Sequence, residues 1–399
     1  LESNEKSNVF IAVSTTSTPT SGSDWHKYKI DFTHFPTEPL GTGAHFPDYE
    51  KIGVNDDALF VSGNYFPITA GTGVYAGLTA IEKAPLLSGG PANIVYSEFF
   101  EGFSVFPLNQ YDSGGTQYLA ETITSGVIRI HAVTDVLTSP VRDTFDLSVP
   151  AFDEPVTVPQ LSMQQNADAV SGRIMTGVWR DGSAWIAHGV RDPAIGDGEN
   201  VARWYEVATN DFPNANPTLV QSGNVDPGPD LYAWMPAIAV DGAGNMGIGF
   251  ALGGPNIYFG AGYTGRLASD PLGQTKLPVQ ELAAGEGGYQ IVSGSRNRWG
   301  DYTGLAVDPA DDSTFWVFNE YATDSNRWNT RIGSFQIDPV SDTDFYEIAV
   351  NLNDNLDIEV FTPFDGANDV QNDLDALVEL YDPDGMLVAS NAGGPSQNP

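Results

Sequence analysis

The 399-residue sequence predicts an all-β chain, a β-propeller followed by a C-terminal β-sandwich. Three observations point there. Apolar residues fall in short or alternating runs broken by Gly, Pro, Asn and Asp, with no long amphipathic helical stretch. Asp outnumbers Glu by 35 to 17 and 70 residues are Gly or Pro, a balance that favours turns and caps over helix interiors. Hairpin signals recur in larger units, most of roughly 45–60 residues, the size of a four-stranded propeller blade with a generous loop.

Runs such as Val9-Phe10-Ile11-Ala12-Val13, Ala58-Leu59-Phe60-Val61-Ser62, Val127-Ile128-Arg129-Ile130-His131 and Phe315-Trp316-Val317-Phe318 read as strands. Asp181-Gly182 and Asp241-Gly242 stand between alternating hydrophobics and mark tight hairpins. Six units follow, over residues 8–40, 45–100, 101–155, 158–222, 230–290 and 297–338. They predict six or seven blades, with five conceivable. A closed ring of sheets leaves few free strand edges.

A domain boundary is expected near Pro339, giving a propeller over 1–340 and a β-sandwich over 341–399. The tail carries 13 acidic residues and no Lys or Arg. Over the whole chain 52 acidic residues face 17 basic ones, a formal charge of −35. So negative a surface repels phosphate backbones and anionic lipid, which argues against a nucleic-acid partner. No apolar run approaches the roughly 18 residues of a membrane span. With no cysteine, disulfides, thiolate nucleophiles and Cys-based zinc sites are excluded.

The segment Arg298-Trp299-Gly300-Asp301-Tyr302-Thr303-Gly304-Leu305-Ala306-Val307-Asp308-Pro309, with Phe315-Trp316 and Asn319-Glu320-Tyr321, resembles a recurrent motif of large secreted bacterial β-propeller proteins. Pro47-Asp48-Tyr49-Glu50-Lys51-Ile52-Gly53-Val54, Arg203-Trp204-Tyr205-Glu206 and residues 265–273 extend the likeness over most of 8–338. It implies a propeller and secretion, and says little about activity. Asp342, Asp344, Phe345, Tyr346, Leu374-Asp375 and residues 380–385 resemble a bacterial pre-peptidase C-terminal domain, a small β-sandwich. That family usually continues past the point matching Pro399, so an incomplete domain is expected.

The sequence holds no Gly-x-Ser-x-Gly elbow, no His-Glu-x-x-His and no phosphate-binding Gly-Lys-Ser/Thr loop. Of five histidines, His26, His34 and His45 lie near Asp48 and Tyr49, a group able to hold a metal or move protons, or else scattered loop residues. His131 and His188 stand apart. Arg203, Arg298, Arg331, Glu206, Asp301, Tyr302, Glu320 and Tyr321 form a second set. If the chain is an enzyme, Asp301, Glu320, Tyr302, Arg298 and Glu206 are the candidate catalytic residues, gathered around an anionic sugar with paired carboxylates as acid and nucleophile or base. The competing reading has these Arg-Trp and Asp-Tyr pairs lock blade to blade, with Trp299 and Trp316 buried and Asp48, Asp57, Glu206, Asp301 and Glu320 kept apart.

Calcium is the expected ion, since it takes 6–8 oxygen ligands from loops rich in carboxylates. Asp365, Asn368, Asp369, Asn372, Asp373 and Asp375 are its expected ligands; Asp308, Asp311 and Asp312 form a weaker group. The sequence favours a non-catalytic secreted scaffold, a surface or matrix component binding an extracellular glycan or protein, or part of a self-assembled or larger surface complex. The alternative is a polysaccharide-active hydrolase or lyase with its site on the propeller face.

Overall fold

The computed structural model describes residues 6–36, 43–68, 73–99, 102–111, 114–194, 198–324 and 326–337, together with the backbone of two later strands. Its regular structure is nearly all strand; the one α-helix among the described residues is Lys83–Ser88. No helix is long and apolar enough to cross a membrane. The chain divides into two compact units, Leu1–Pro339 and Val340–Pro399.

In the first unit five sheets follow one another as blades, each built on consecutive antiparallel strands that run from the inside out. Blade 1 comprises His45–Val54, Ala58–Pro67, Tyr75–Glu82 and Ile94–Phe99. Blade 2 comprises Phe106–Pro107, Gln117–Thr124, Val127–Thr134 and Val141–Ser148. Blade 3 holds Thr176–Arg180, Ser183–Arg191, Asn200–Ala208 and Thr218–Val225, with Asn109–Gln110 parallel along its inner edge. Blade 4 holds Tyr232–Val240, Met246–Gly254, Ile257–Arg266 and Gln280–Ala283. Blade 5 has three strands, Gly304–Val307, Phe315–Thr323 and Arg327–Phe335. The expected six or seven blades are thus five among the described residues. Of the six sequence units, the first is a two-stranded hairpin, Asn8–Ser14 with Trp25–Asp31. Its Ile30 and Phe32 pack on Val61, Ile81 and Leu86 against the flank of blade 1, and two strands cannot make a blade of their own.

The core lies between blades. Phe60 and Leu78 of blade 1 meet Leu119 and Val133 of blade 2. Ile128 and Ile130 meet Ile186, Tyr205 and Val207 of blade 3. Trp185 and Trp204 meet Ile238, Ile248 and Phe250 of blade 4. Ala237 and Ala239 meet Leu305, Phe315 and Val317 of blade 5. Alternation explains this: each blade's strands send successive side chains to opposite faces, and both faces of an inner blade are covered. Gly177 shows how close the approach is, since a Cβ there would stand 2.5 Å from Leu108 Cδ2 and 2.9 Å from Ile186 Cγ2.

The junction of blade 5 with blade 1 is of another kind. Among the described residues it holds no buried apolar cluster. Trp316 and Phe318, on the face of blade 5 opposite the blade 4 contact, are 46% and 37% exposed, and Ile332, paired with Phe318, is exposed too. Trp316 was expected to be buried; its position on strand Phe315–Thr323 sends it to this uncovered face, while Nε1 donates to Asp308 Oδ2 at 2.9 Å. Trp299 is buried as expected, at 1% exposure.

In the second unit the described residues form one antiparallel pair, Leu377–Tyr381 with Leu387–Ala392. The expected calcium ligands Asp365, Asn368, Asp369, Asn372, Asp373 and Asp375 lie outside the described residues.

Candidate active site

A cavity of about 240 Å³ opens on the propeller axis, lined from the innermost strands of all five blades. Ile52, Phe106, Val178, Ile238 and Leu305 give it apolar walls; Glu50, Lys51, Thr176, Tyr302 and Thr303 give it polar ones.

The loop 298–303, which feeds the first strand of blade 5, builds one side of the mouth. Trp299 anchors it in a buried cluster with Trp234, Met235, Phe259 and Tyr289. Gly300 then takes φ +51°, a conformation that suits glycine, and donates its N–H to Glu320 Oε2 at 2.8 Å. Arg298 and Asp301 form an ion pair with each other, where a pairing to a neighbouring blade was expected; at three residues' separation around one turn each is the other's nearest opposite charge. Tyr302 is half exposed, and Thr303 Oγ1 donates to the Met235 carbonyl at 3.1 Å.

The opposite side comes from a β-bulge in the first strand of blade 1, where the register shifts between Asp48 and Lys51 and Tyr49 takes φ +59°. The Tyr49 ring lies 5.6 Å from that of Tyr302, and Lys51 Nζ sits between them, 3.7 Å and 4.6 Å from the ring centroids. Nζ donates to the Asp301 carbonyl at 3.3 Å, so blades 1 and 5 join here by polar and aromatic contacts. Arg173 stands 4.9 Å from the Tyr49 ring and donates to Ser104 Oγ at 3.2 Å and Ser171 Oγ at 2.8 Å. A second bulge, at Met235 of blade 4 with φ +50°, and Ser104 at φ +57° complete a group of strained non-glycine residues at this mouth. Such outliers collect where structure is held for function.

Burial pushes the Glu320 carboxyl up to about 7; the Asp301 charge adds to this and the Gly300 N–H opposes it. Burial brings the Lys51 ammonium down to about 7, with Asp301 opposing and Arg173 reinforcing. The Tyr302 hydroxyl rises to about 12 through burial and then the charges of Glu50, Asp301 and Asp48. Two groups with shifted pKa thus stand on either side of Asp301, Glu320 behind the loop and Lys51 on the cavity wall.

Of the sequence candidates, Arg298, Asp301, Tyr302 and Glu320 meet around this one loop. Glu50 is the carboxylate on the cavity wall; Asp48, Asp57, Glu206, Asp301 and Glu320 are not among its lining residues, and Asp301 and Glu320 lie behind it, on the loop and on the strand that supports the loop. Glu206 does not join them. On an outer strand of blade 3, it accepts from Ser183 Oγ and Gln221 Nε2. Arg203 is buried, paired with Asp192 and donating to the Ala151 carbonyl, a structural lock. Asp57 accepts from the Gly115 N–H at 2.7 Å. Arg331 lies over Tyr321. His188 donates from Nδ1 to the Gly172 carbonyl, accepts from Tyr205 at Nε2, and is neutral, burial bringing it down to about 4. His131 meets Glu121, His34 meets Glu98, and His26 packs on Gly89. Among the described residues no three His, Asp or Glu side chains are placed to hold a metal. Asp308 and Asp311 accept from their own turns, and Asp312 pairs with Arg180.

Tyr49, Lys51, Arg173 and Met235 were not candidates. The signal lay in Asp48-Tyr49 and Asp301-Tyr302, the same dipeptide at or before the first strand of two blades that meet in space.

No protein-family model and no curated protein matches the chain. Solved structures do. An α-L-arabinanase from Penicillium chrysogenum, complexed with arabinobiose, is 11% identical, with TM-score 0.41 over 75% of this chain and 99% of its own. An α-L-arabinofuranosidase from Fusarium graminearum is 8% identical, with TM-score 0.38 over 76% of this chain and 96% of its own. A xylan β-1,4-xylosidase from Bacillus halodurans is 14% identical, with TM-score 0.34 over 74% of this chain and 54% of its own. These matches are glycoside hydrolases, and the expectation of a non-catalytic scaffold is corrected against them. At such scores they assign neither substrate nor residues, and the site rests on the geometry above.

Proposed function

We propose that the protein is a polysaccharide-active glycoside hydrolase, secreted to act on extracellular glycans, with its site at the mouth of the propeller cavity. The observation that carries this reading is the loop 298–303, where the Gly300 N–H donates to Glu320 Oε2 at 2.8 Å and Arg298 pairs with Asp301, so that two carboxyls flank Tyr302; burial pushes the Glu320 carboxyl up to about 7. Glycoside hydrolysis needs one carboxyl that delivers a proton to the leaving oxygen and one that acts on the sugar or on water. Glu320 takes the first role. Asp301, held by Arg298, takes the second. Tyr302, half exposed at the rim, offers a ring face for a sugar to stack on. A β-sandwich over 341–399 belongs to the same proposal, with calcium held by Asp365, Asp369, Asp373 and Asp375.

The test is reducing-sugar release from a panel of arabinan, xylan and uronate-containing polysaccharides. Release is expected from at least one, with kcat lowered by about 10²-fold or more in Glu320→Gln and Asp301→Asn. Release that survives both substitutions would place the chemistry elsewhere.

A further inference from the structure

Lys51 and Arg173 are two cations that contact one aromatic ring, Tyr49, in a chain this acidic. Among the described residues Arg129, Arg180, Arg191, Arg203, Arg296 and Arg298 each have a carboxylate within ion-pair distance. Lys51 and Arg173 form no ion pair there. Lys51 is 6% exposed and reaches only a backbone carbonyl and two ring faces. Arg173 reaches two serine hydroxyls and the rings of Tyr49 and Phe103. Both cations border one Tyr49 ring, and Lys51 lines the cavity. Holding two like charges near each other in a partly desolvated place costs free energy that an anion between them would offset.

We propose that Lys51, on the cavity wall, and Arg173, beside it on the Tyr49 ring, form an anion subsite at the edge of the cavity that selects an acidic sugar, one bearing a carboxylate or a sulfate ester. This rests on the hydrolase reading above and narrows its substrate class. Guanidinium binds a planar carboxylate through a fork of donors, and the ammonium adds a compact charge. Tyr49, the ring both heads contact, donates its hydroxyl to Met175 Sδ at 3.4 Å. The other charged and titratable groups facing Lys51 are Glu50 on its own strand and Asp301 and Tyr302 from blade 5, with Asp48 and Arg298 at the rim. The carboxylates among them disfavour a second anion anywhere but between the two cations.

Lys51 sheds its proton near pH 7, so it contributes below that pH and fades above it.

The experiment is calorimetric binding of an oligogalacturonate, its carboxyl-reduced neutral counterpart, and a sulfated form of that counterpart. At pH 6 an anionic form is expected to bind at least about tenfold more tightly than the neutral one. Preference for the oligogalacturonate assigns a carboxylate subsite; preference for the sulfated form assigns a sulfate subsite. In Arg173→Gln the preference should fall away as pH rises through 7; in Lys51→Gln a smaller, pH-independent preference should remain. Unchanged melting curves show that both variants fold. Equal binding of acidic and neutral forms, no binding of any acidic form, or a preference untouched by both substitutions overturns the inference. Turnover on neutral polysaccharides, measured separately, shows whether the hydrolase reading stands without it.

Discussion

Among the described residues four of the five blade junctions hold a buried apolar cluster and one does not. Between blades 1 and 2, 2 and 3, 3 and 4, and 4 and 5, buried aliphatic and aromatic side chains interdigitate. Between blades 5 and 1 the contacts are Lys51 on a carbonyl and between two tyrosines. The apolar junctions give the ring its stability, and the polar one gives it a place where charge and water meet a rigid wall. Structure and chemistry are thereby assigned to different seams.

The sharpest way to break that division is to weaken an apolar seam. Trp204 is fully buried, stacks on Trp185 at 5.9 Å and donates to Thr275 at 3.0 Å. Trp204→Ala should cost about 3–5 kcal/mol in chemical unfolding. Tyr302→Ala, on the polar seam, should stay within about 1 kcal/mol while lowering sugar release, so a large loss of stability there would refute the contrast. Next in size is Gly177→Ala, whose new methyl meets Leu108 and Ile186; about 1–3 kcal/mol is expected, with little effect on chemistry. Gly300→Ala should cost about 1–2 kcal/mol through its left-handed backbone. It should also lower activity by shifting the N–H that Glu320 accepts, and kcat measured beside the melting curve separates the two effects.

The smallest effect is on pH. Glu320 binds its proton more tightly folded than unfolded, so the folded state loses relative stability as pH climbs from the ordinary carboxylate range to about 7. Glu320→Gln should remove that slope from melting temperatures taken across pH 4–8. A slope equal in both proteins would show that another group carries it.

Much of this fold is legible in sequence because alternation is local. Ala58–Pro67 and Ile257–Arg266 announce themselves as strands, and Asp181-Gly182 as a turn. Blade number is less legible, since residues 8–40 hold hairpin signals like a blade's and only packing shows that two strands lie against a neighbour's flank. The site was half legible. Asp301, Tyr302 and Glu320 drew notice through one motif. Lys51 and Arg173 did not, because they lie 122 positions apart and meet only through the Tyr49 ring, a property of three-dimensional arrangement. Trp316 misled for the opposite reason: a tryptophan beside buried neighbours points to whichever face its parity dictates.

The bond from Lys51 to the Asp301 carbonyl spans 250 positions of chain. Closing a loop of that length carries an entropic penalty of about 5 kcal/mol by the (3/2)RT ln n rule, and the junction that closes it is the one with the least apolar adhesive. The circle of blades therefore has a clasp, and the clasp is also the mouth of the cavity. A sugar chain lying across Tyr49 and Tyr302 would bridge both halves of that clasp, so occupancy would fasten the whole ring and be felt as resistance to proteolysis in blades the ligand never touches.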